Sequence, residues 1–76
     1  MEQNIVLSNR IKELMEQRGM NYNELAEKSG LPVRRVYRMA TGLVSNPGIF
    51  LMIQLCKGLE VSLDEFVGTE AFDAFR

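Results

Sequence analysis

The chain has 76 residues, 46% of them hydrophobic and 25% charged, with no His, a single Cys and a formal net charge of −1. A chain this short builds one domain, and it cannot assemble an ordinary zinc site, an internal disulfide, or a Ser–His or Cys–His nucleophile pair. Its glycines are scattered singly and form no phosphate-cradling loop, and a domain of this size leaves little room for a pocket, so neither enzyme nor cofactor is expected. Ile5 to Leu7 is the one apolar cluster near the start. It is too short for a signal-peptide core or a membrane span, so no membrane association and a cytoplasmic location are expected, as the lone Cys56 also suggests.

Helical periodicity then appears five times. Leu7, Ile11, Leu14 and Met15 recur at spacings of three and four, which predicts a first helix from about Ile5 to Arg18, with Asn4 as its cap and Gly19 just past its end. Asn21 with Glu24 makes a capping box for a second, short helix, and Met20 with Leu25 the matching hydrophobic staple. Gly30 ends that helix. Pro32 suits the first turn of a third helix, whose Val36 and Met39 face a core and which Gly42 closes. Asn46-Pro47 reads as the cap and first position of a fourth helix running to about Gly58. Ser62 with Glu65 forms a second capping box, and Val61 with Phe66 a second staple, for a short fifth helix. No segment shows strand alternation between hairpin turns, so the expected class is all-α.

The acidic isoelectric point, about 5.3, argues against a nucleic-acid partner until the charges are mapped. Residues 1–27 sum to −2 and residues 60–76 to −4, whereas residues 28–59 carry Lys28, Arg34, Arg35, Arg38 and Lys57 and no acid, a charge of +5. Local potential governs contact with a phosphate backbone more than net charge does. The plainer reading, a solvated helix face, ranks second because three of the arginines fall within five residues.

Those arginines sit in a particular frame. Two short helices, Tyr22–Ser29 and Pro32–Thr41, flank the turn Gly30-Leu31. A tight crossing over so short a turn needs a small residue at closest approach, and Ala26 supplies it. Leu31, Val36 and Met39 hold the second helix on the first, and Val33, Arg34, Tyr37 and Arg38 remain as an outward face with Arg35 at its side.

The run "NYNELAEKSGLPVRRVYRMATG", followed by "NPGIFLMIQLCKGLEVSLDEF", resembles the XRE or Cro/CI-type (phage lambda repressor-like) helix-turn-helix family over roughly residues 7–67. "ELAEKSGL" and "GLEVSLDEF" are its most specific parts. The resemblance implies a five-helix domain with residues 68–76 as a tail, binding double-stranded DNA as a regulator of transcription. Such a regulator is most often a repressor and commonly a dimer, with the third helix in the major groove and the start of the second near the phosphates. Carried over by position, Val33, Arg34 and Arg38 become base-reading residues: arginine can bond guanine O6 and N7, and valine can touch a thymine methyl. Tyr22, Lys28, Arg35, Tyr37, Ser45, Asn46 and Arg10 become contacts to the DNA backbone. The bland competitors are a surface-packed Tyr22, solvated Arg35 and Lys28, and an Arg10 paired with Glu13 or Glu2.

Two positions depart from the family pattern. Where members often pair an Arg late in the first helix with a Glu after the third, this chain has Met15 and Ala40, so an apolar contact is expected in place of an ion pair. Pro32 stands where Ser or Thr usually caps the recognition helix. The fourth helix is also unusually apolar: Ile49, Met52, Ile53, Cys56 and Leu59 suffice for its core side. Cys56 reads as a small core residue rather than a redox switch. Phe50 and Leu51 on the flanks, with Phe66, Phe72 and Phe75, are then expected to form a homodimer interface. The alternative to a DNA-binding regulator is a protein-interaction module, such as an antitoxin-like partner, built on the same fold. No small-molecule ligand is expected.

Overall fold

The computed structural model describes residues 3–44 and 46–75, the side chains of Ala74 and Phe75 excepted. Five helices follow one another, α1 (Gln3–Arg18), α2 (Tyr22–Ser29), α3 (Val33–Ala40), α4 (Ile49–Leu59) and α5 (Leu63–Val67), ahead of a 3₁₀ segment, Glu70–Phe75. No strand occurs among the described residues, and the class is the all-α one that the periodicity indicates.

Local chemistry sets several helix ends as expected. The Asn21 side chain accepts from the Glu24 N–H at 2.8 Å while the Glu24 carboxylate accepts from the Asn21 N–H at 3.0 Å, so α2 opens on a complete capping box. Ser62 and Glu65 repeat the arrangement for α5. Gly30, at φ 73°, ends α2 in the left-handed region that a side chain resists.

Other ends differ from expectation. Asn4 lies inside α1 rather than capping it, and its side-chain amide donates to the Gly42 carbonyl at 2.7 Å, tying the start of α1 to the end of α3. Pro32 is the extended residue before α3, not its first turn; its carbonyl accepts from the N–H groups of Arg35 and Val36. Asn46-Pro47 does not open α4, which begins two residues later with Gly48 as its cap. Gly58 is the last residue but one of α4, within a residue of the expected end. It is buried where α4 crosses α2, and a Cβ there would stand 2.8 Å from the Cβ of Ser29. The left-handed closing position falls instead on Glu60, at φ 61°.

Two arginines of α1 finish the helices that follow. Arg18 donates through Nε to the Leu59 carbonyl (3.0 Å) and through a terminal nitrogen to the Glu60 carbonyl (3.1 Å). Arg10 donates to the carbonyls of Phe66 (2.8 Å) and Glu65 (2.7 Å) and pairs with Glu13. The last carbonyls of a helix lack intrahelical partners and carry the negative end of its dipole, so a guanidinium satisfies both deficits at once.

One core joins all five helices. It takes Leu7, Ile11, Leu14 and Met15 from α1, Leu25 and Ala26 from α2, Val36, Met39 and Ala40 from α3, Met52, Leu55, Cys56 and Leu59 from α4, and Phe66 from α5. Met15 and Ala40 are both buried in it, so the positions of the family's ion pair are apolar and no charge is stranded. Cys56 is buried as expected, and burial raises the pKa of its thiol.

The register of α4 corrects the expected core stripe. With Met52 at zero and about 100° per residue, Leu55, Cys56 and Leu59 fall within about 60° of it, whereas Ile53 lies at about 100° and Phe50 at about 160°. Ile53, expected in the core, is accordingly 48% exposed, and Leu55 takes the inward place; Ile49, also expected in the core, lies at about 60° but is the first residue of the helix and is 55% exposed. Phe66, expected at a dimer interface, is fully buried and belongs to the core; Phe72 is half-buried against it, ring centroids 5.9 Å apart.

Candidate nucleic-acid interface

The site is assembled from α2, the turn and α3. Leu25 and Ala26 bury the inner side of α2, Leu31 plugs the turn, and Val36, Met39 and Ala40 bury the inner side of α3. At helical spacing that leaves Val33, Arg34, Arg35, Tyr37 and Arg38 exposed together on α3. Among the described residues no carboxylate lies within ion-pair distance of Arg34, Arg35 or Arg38. Their charge is therefore directed outward, in contrast to that of Arg10 and Arg18. Thr41 steadies the end of the helix, its hydroxyl donating to the Tyr37 carbonyl at 2.7 Å.

The flank of α3 forms one wall of an open groove of about 690 Å³. The opposite wall is the α3–α4 loop and the first turns of α4, including Val44, Asn46, Pro47 and Leu51. Guanidiniums thus rim a partly apolar trough beside the backbone of Gly48, whose helix has no side chain capping its first N–H groups. A cationic rim beside unsatisfied helix-start N–H groups is suited to a polyanion's phosphates.

The sequence-expected residues distribute unevenly over this geometry. Val33, Arg34, Arg35, Tyr37 and Arg38 share the exposed face of α3, and Asn46 lines the groove next to it. Tyr22 is half-buried at the start of α2, its ring set edge-on to that of Tyr37 with centroids 5.5 Å apart at 84°. Lys28 faces Glu60 at 4.0 Å, an exposed pair of little energetic weight. Arg10 is not available to a DNA backbone: its guanidinium is engaged by the end of α5 and by Glu13, as the competing reading held in part. Ser45 and the side chain of Phe75 lie outside the described residues. Ile49 and Ile53 are what the sequence reading missed. They join Phe50, 79% exposed, in an apolar face on α4, and the register of Met52, Leu55, Cys56 and Leu59 was the signal that could have separated Ile53, though not Ile49, from the core.

Two short helices crossing over a glycine turn, with a cationic outward face on the second, define a helix-turn-helix protein. A family model described as Helix-turn-helix matches residues 11–66, from the buried face of α1 to Phe66 in α5. The chain belongs to the XRE or Cro/CI-type helix-turn-helix family and is a DNA-binding regulator, of a family that is generally non-enzymatic. No curated protein and no solved structure matched it. Among the described residues, no helix is long and apolar enough to cross a membrane.

Proposed function

We propose that the protein is a sequence-specific repressor of transcription that sets α3 in the major groove of duplex DNA, acting in the cytoplasm as a homodimer. The observation that carries this reading is the trio Arg34, Arg35 and Arg38, exposed on one short helix with no carboxylate partner among the described residues. Arg34 and Arg38 read guanine edges, and Val33 meets thymine methyls. Arg35, Tyr37, Asn46, Ser45 and, once released from Glu60, Lys28 hold the phosphates on either side. Ile49, Phe50 and Ile53, together with half-buried Leu51 and Phe72, supply the apolar surface through which two copies pair.

Selection of bound duplexes from a random library tests it. A two-fold dimer enriches a near-palindrome with half-sites about one helical turn apart. Substituting Arg34→Ala or Arg38→Ala relaxes the preference at defined positions within each half-site, at about 1–3 kcal/mol per lost bidentate contact. An unenriched pool, together with affinity that does not fall as salt rises, would overturn the reading. The exposed apolar face of α4 would then favour the second one, a module whose main partner is another protein.

A further inference from the structure

We propose that Tyr22 acts on DNA through Tyr37: its ring is the abutment that directs the Tyr37 phenol toward a phosphate oxygen. The inference rests on the DNA-binding reading above. The two rings belong to different helices of the motif and meet across the turn, with centroids 5.5 Å apart and planes at 84°, the edge-to-face arrangement that aromatic quadrupoles favour.

Burial makes the pair unequal. Tyr22 is half-buried and packs against the hydrophobic core, whereas Tyr37 is 50% exposed on the face that carries Arg34 and Arg38. Tyr22 is thus the anchored ring and Tyr37 the presented one. The backbone beneath Tyr37 is held as well, since its carbonyl accepts both the N–H (3.0 Å) and the hydroxyl (2.7 Å) of Thr41. An exposed tyrosine ordinarily loses rotamer freedom when it binds; here the neighbouring ring imposes much of that ordering beforehand. Among the described residues the Tyr37 hydroxyl has no hydrogen-bond partner, which leaves its O–H to a ligand. Tyr22 is accordingly a positioning residue, and its own hydroxyl is secondary.

A double-mutant cycle on a duplex from the selection above separates this from direct contact. Tyr22→Leu weakens binding by about 2- to 12-fold, the span of one aromatic pair. Tyr37→Ala weakens it at least as much. The combined variant binds no more weakly than Tyr37→Ala alone, because the first change acts only through the second residue. Tyr22→Phe, which keeps the ring, restores most of what Tyr22→Leu loses. In the DNA-free protein the ring protons of Tyr37 change chemical shift in Tyr22→Leu, a readout that a general loss of stability would not confine to this residue.

Additive losses in the cycle, or a Tyr22→Phe variant as weak as Tyr22→Leu, would overturn the positioning role and assign the contact to Tyr22 itself. If Tyr22→Leu melts below the assay temperature, Tyr22→Phe alone decides, and a loss beyond about 3-fold overturns the inference. A wild-type protein that binds no duplex overturns the function first and the positioning with it; binding with an additive cycle overturns only the positioning.

Discussion

Replacing Gly58 by alanine sets two effects of comparable size against each other, and the packing distances decide between them. In an exposed helix the change is favourable by about 1 kcal/mol, because glycine has more backbone entropy to lose. Here the new Cβ would stand 2.8 Å from Ser29 Cβ, 2.9 Å from Leu25 Cδ1 and 2.9 Å from the Ser29 backbone nitrogen. The leucine tip can swing aside. The Ser29 atoms are fixed to α2, so that helix must retreat by about 0.7 Å to restore ordinary carbon–carbon contact. Overpacking of this kind costs about 1–3 kcal/mol, which leaves a net destabilisation of about 0–2 kcal/mol after the helix gain. For a domain of this size that lowers the melting temperature by up to about 15 °C. Thermal unfolding followed by far-ultraviolet circular dichroism reads it directly. A Gly58→Ala protein that melts above the wild-type temperature would show that propensity wins, and would refute the close approach of α4 to α2.

The remaining outcomes concern the outer face and interior of α4. Phe50→Glu places a charge at the centre of the exposed apolar patch, so sedimentation equilibrium should find a monomer where wild type is a dimer, with the melting of the folded monomer little changed. A wild type that stays monomeric at high concentration refutes the interface. Burial raises the Cys56 pKa, so the folded state retains its proton to higher pH than the unfolded chain does. Stability from this group is intact below the unfolded thiol pKa of about 8.5 and falls as pH rises above it. Urea titrations between pH 7 and 10 should show that decline in wild type and a shallower one in Cys56→Ala; identical slopes refute it.

What could be read from the sequence was whatever a few neighbouring residues decide. The capping boxes at Asn21 and Ser62 are complete within four residues, and the exposed face of α3 follows from Val36, Met39 and the arginines within two turns. What escaped depends on distant partners. Asn4 resembles a cap until its amide is found on Gly42, and the need for a glycine at position 58 shows only once α2 is laid against it. Asn46-Pro47 has the composition of a helix start, yet α4 begins at Ile49 beyond Gly48. Phe66 fits a surface as well as a core by residue type alone; the packing of α5 against α4 and its link to Arg10 decide for the core.

The acidic isoelectric point and the DNA-binding fold are compatible because the arginines fall into two populations. Arg10 and Arg18 neutralise helix ends from within the fold, whereas Arg34, Arg35 and Arg38 have no such partner among the described residues. Counterion release counts only cations that reach phosphate, which makes the division measurable. Removing Arg35 should reduce the slope of log K against log salt by about 1 while weakening binding across all sequences. Arg18→Met removes the same formal charge and two hydrogen bonds, to the carbonyls of Leu59 and Glu60 at the end of α4. It should lower stability by about 1–3 kcal/mol yet leave the slope unchanged once the protein is kept folded. If both variants lose equal slope, net charge rather than local placement governs binding, and the assignment of α3 as the phosphate-facing helix fails with it.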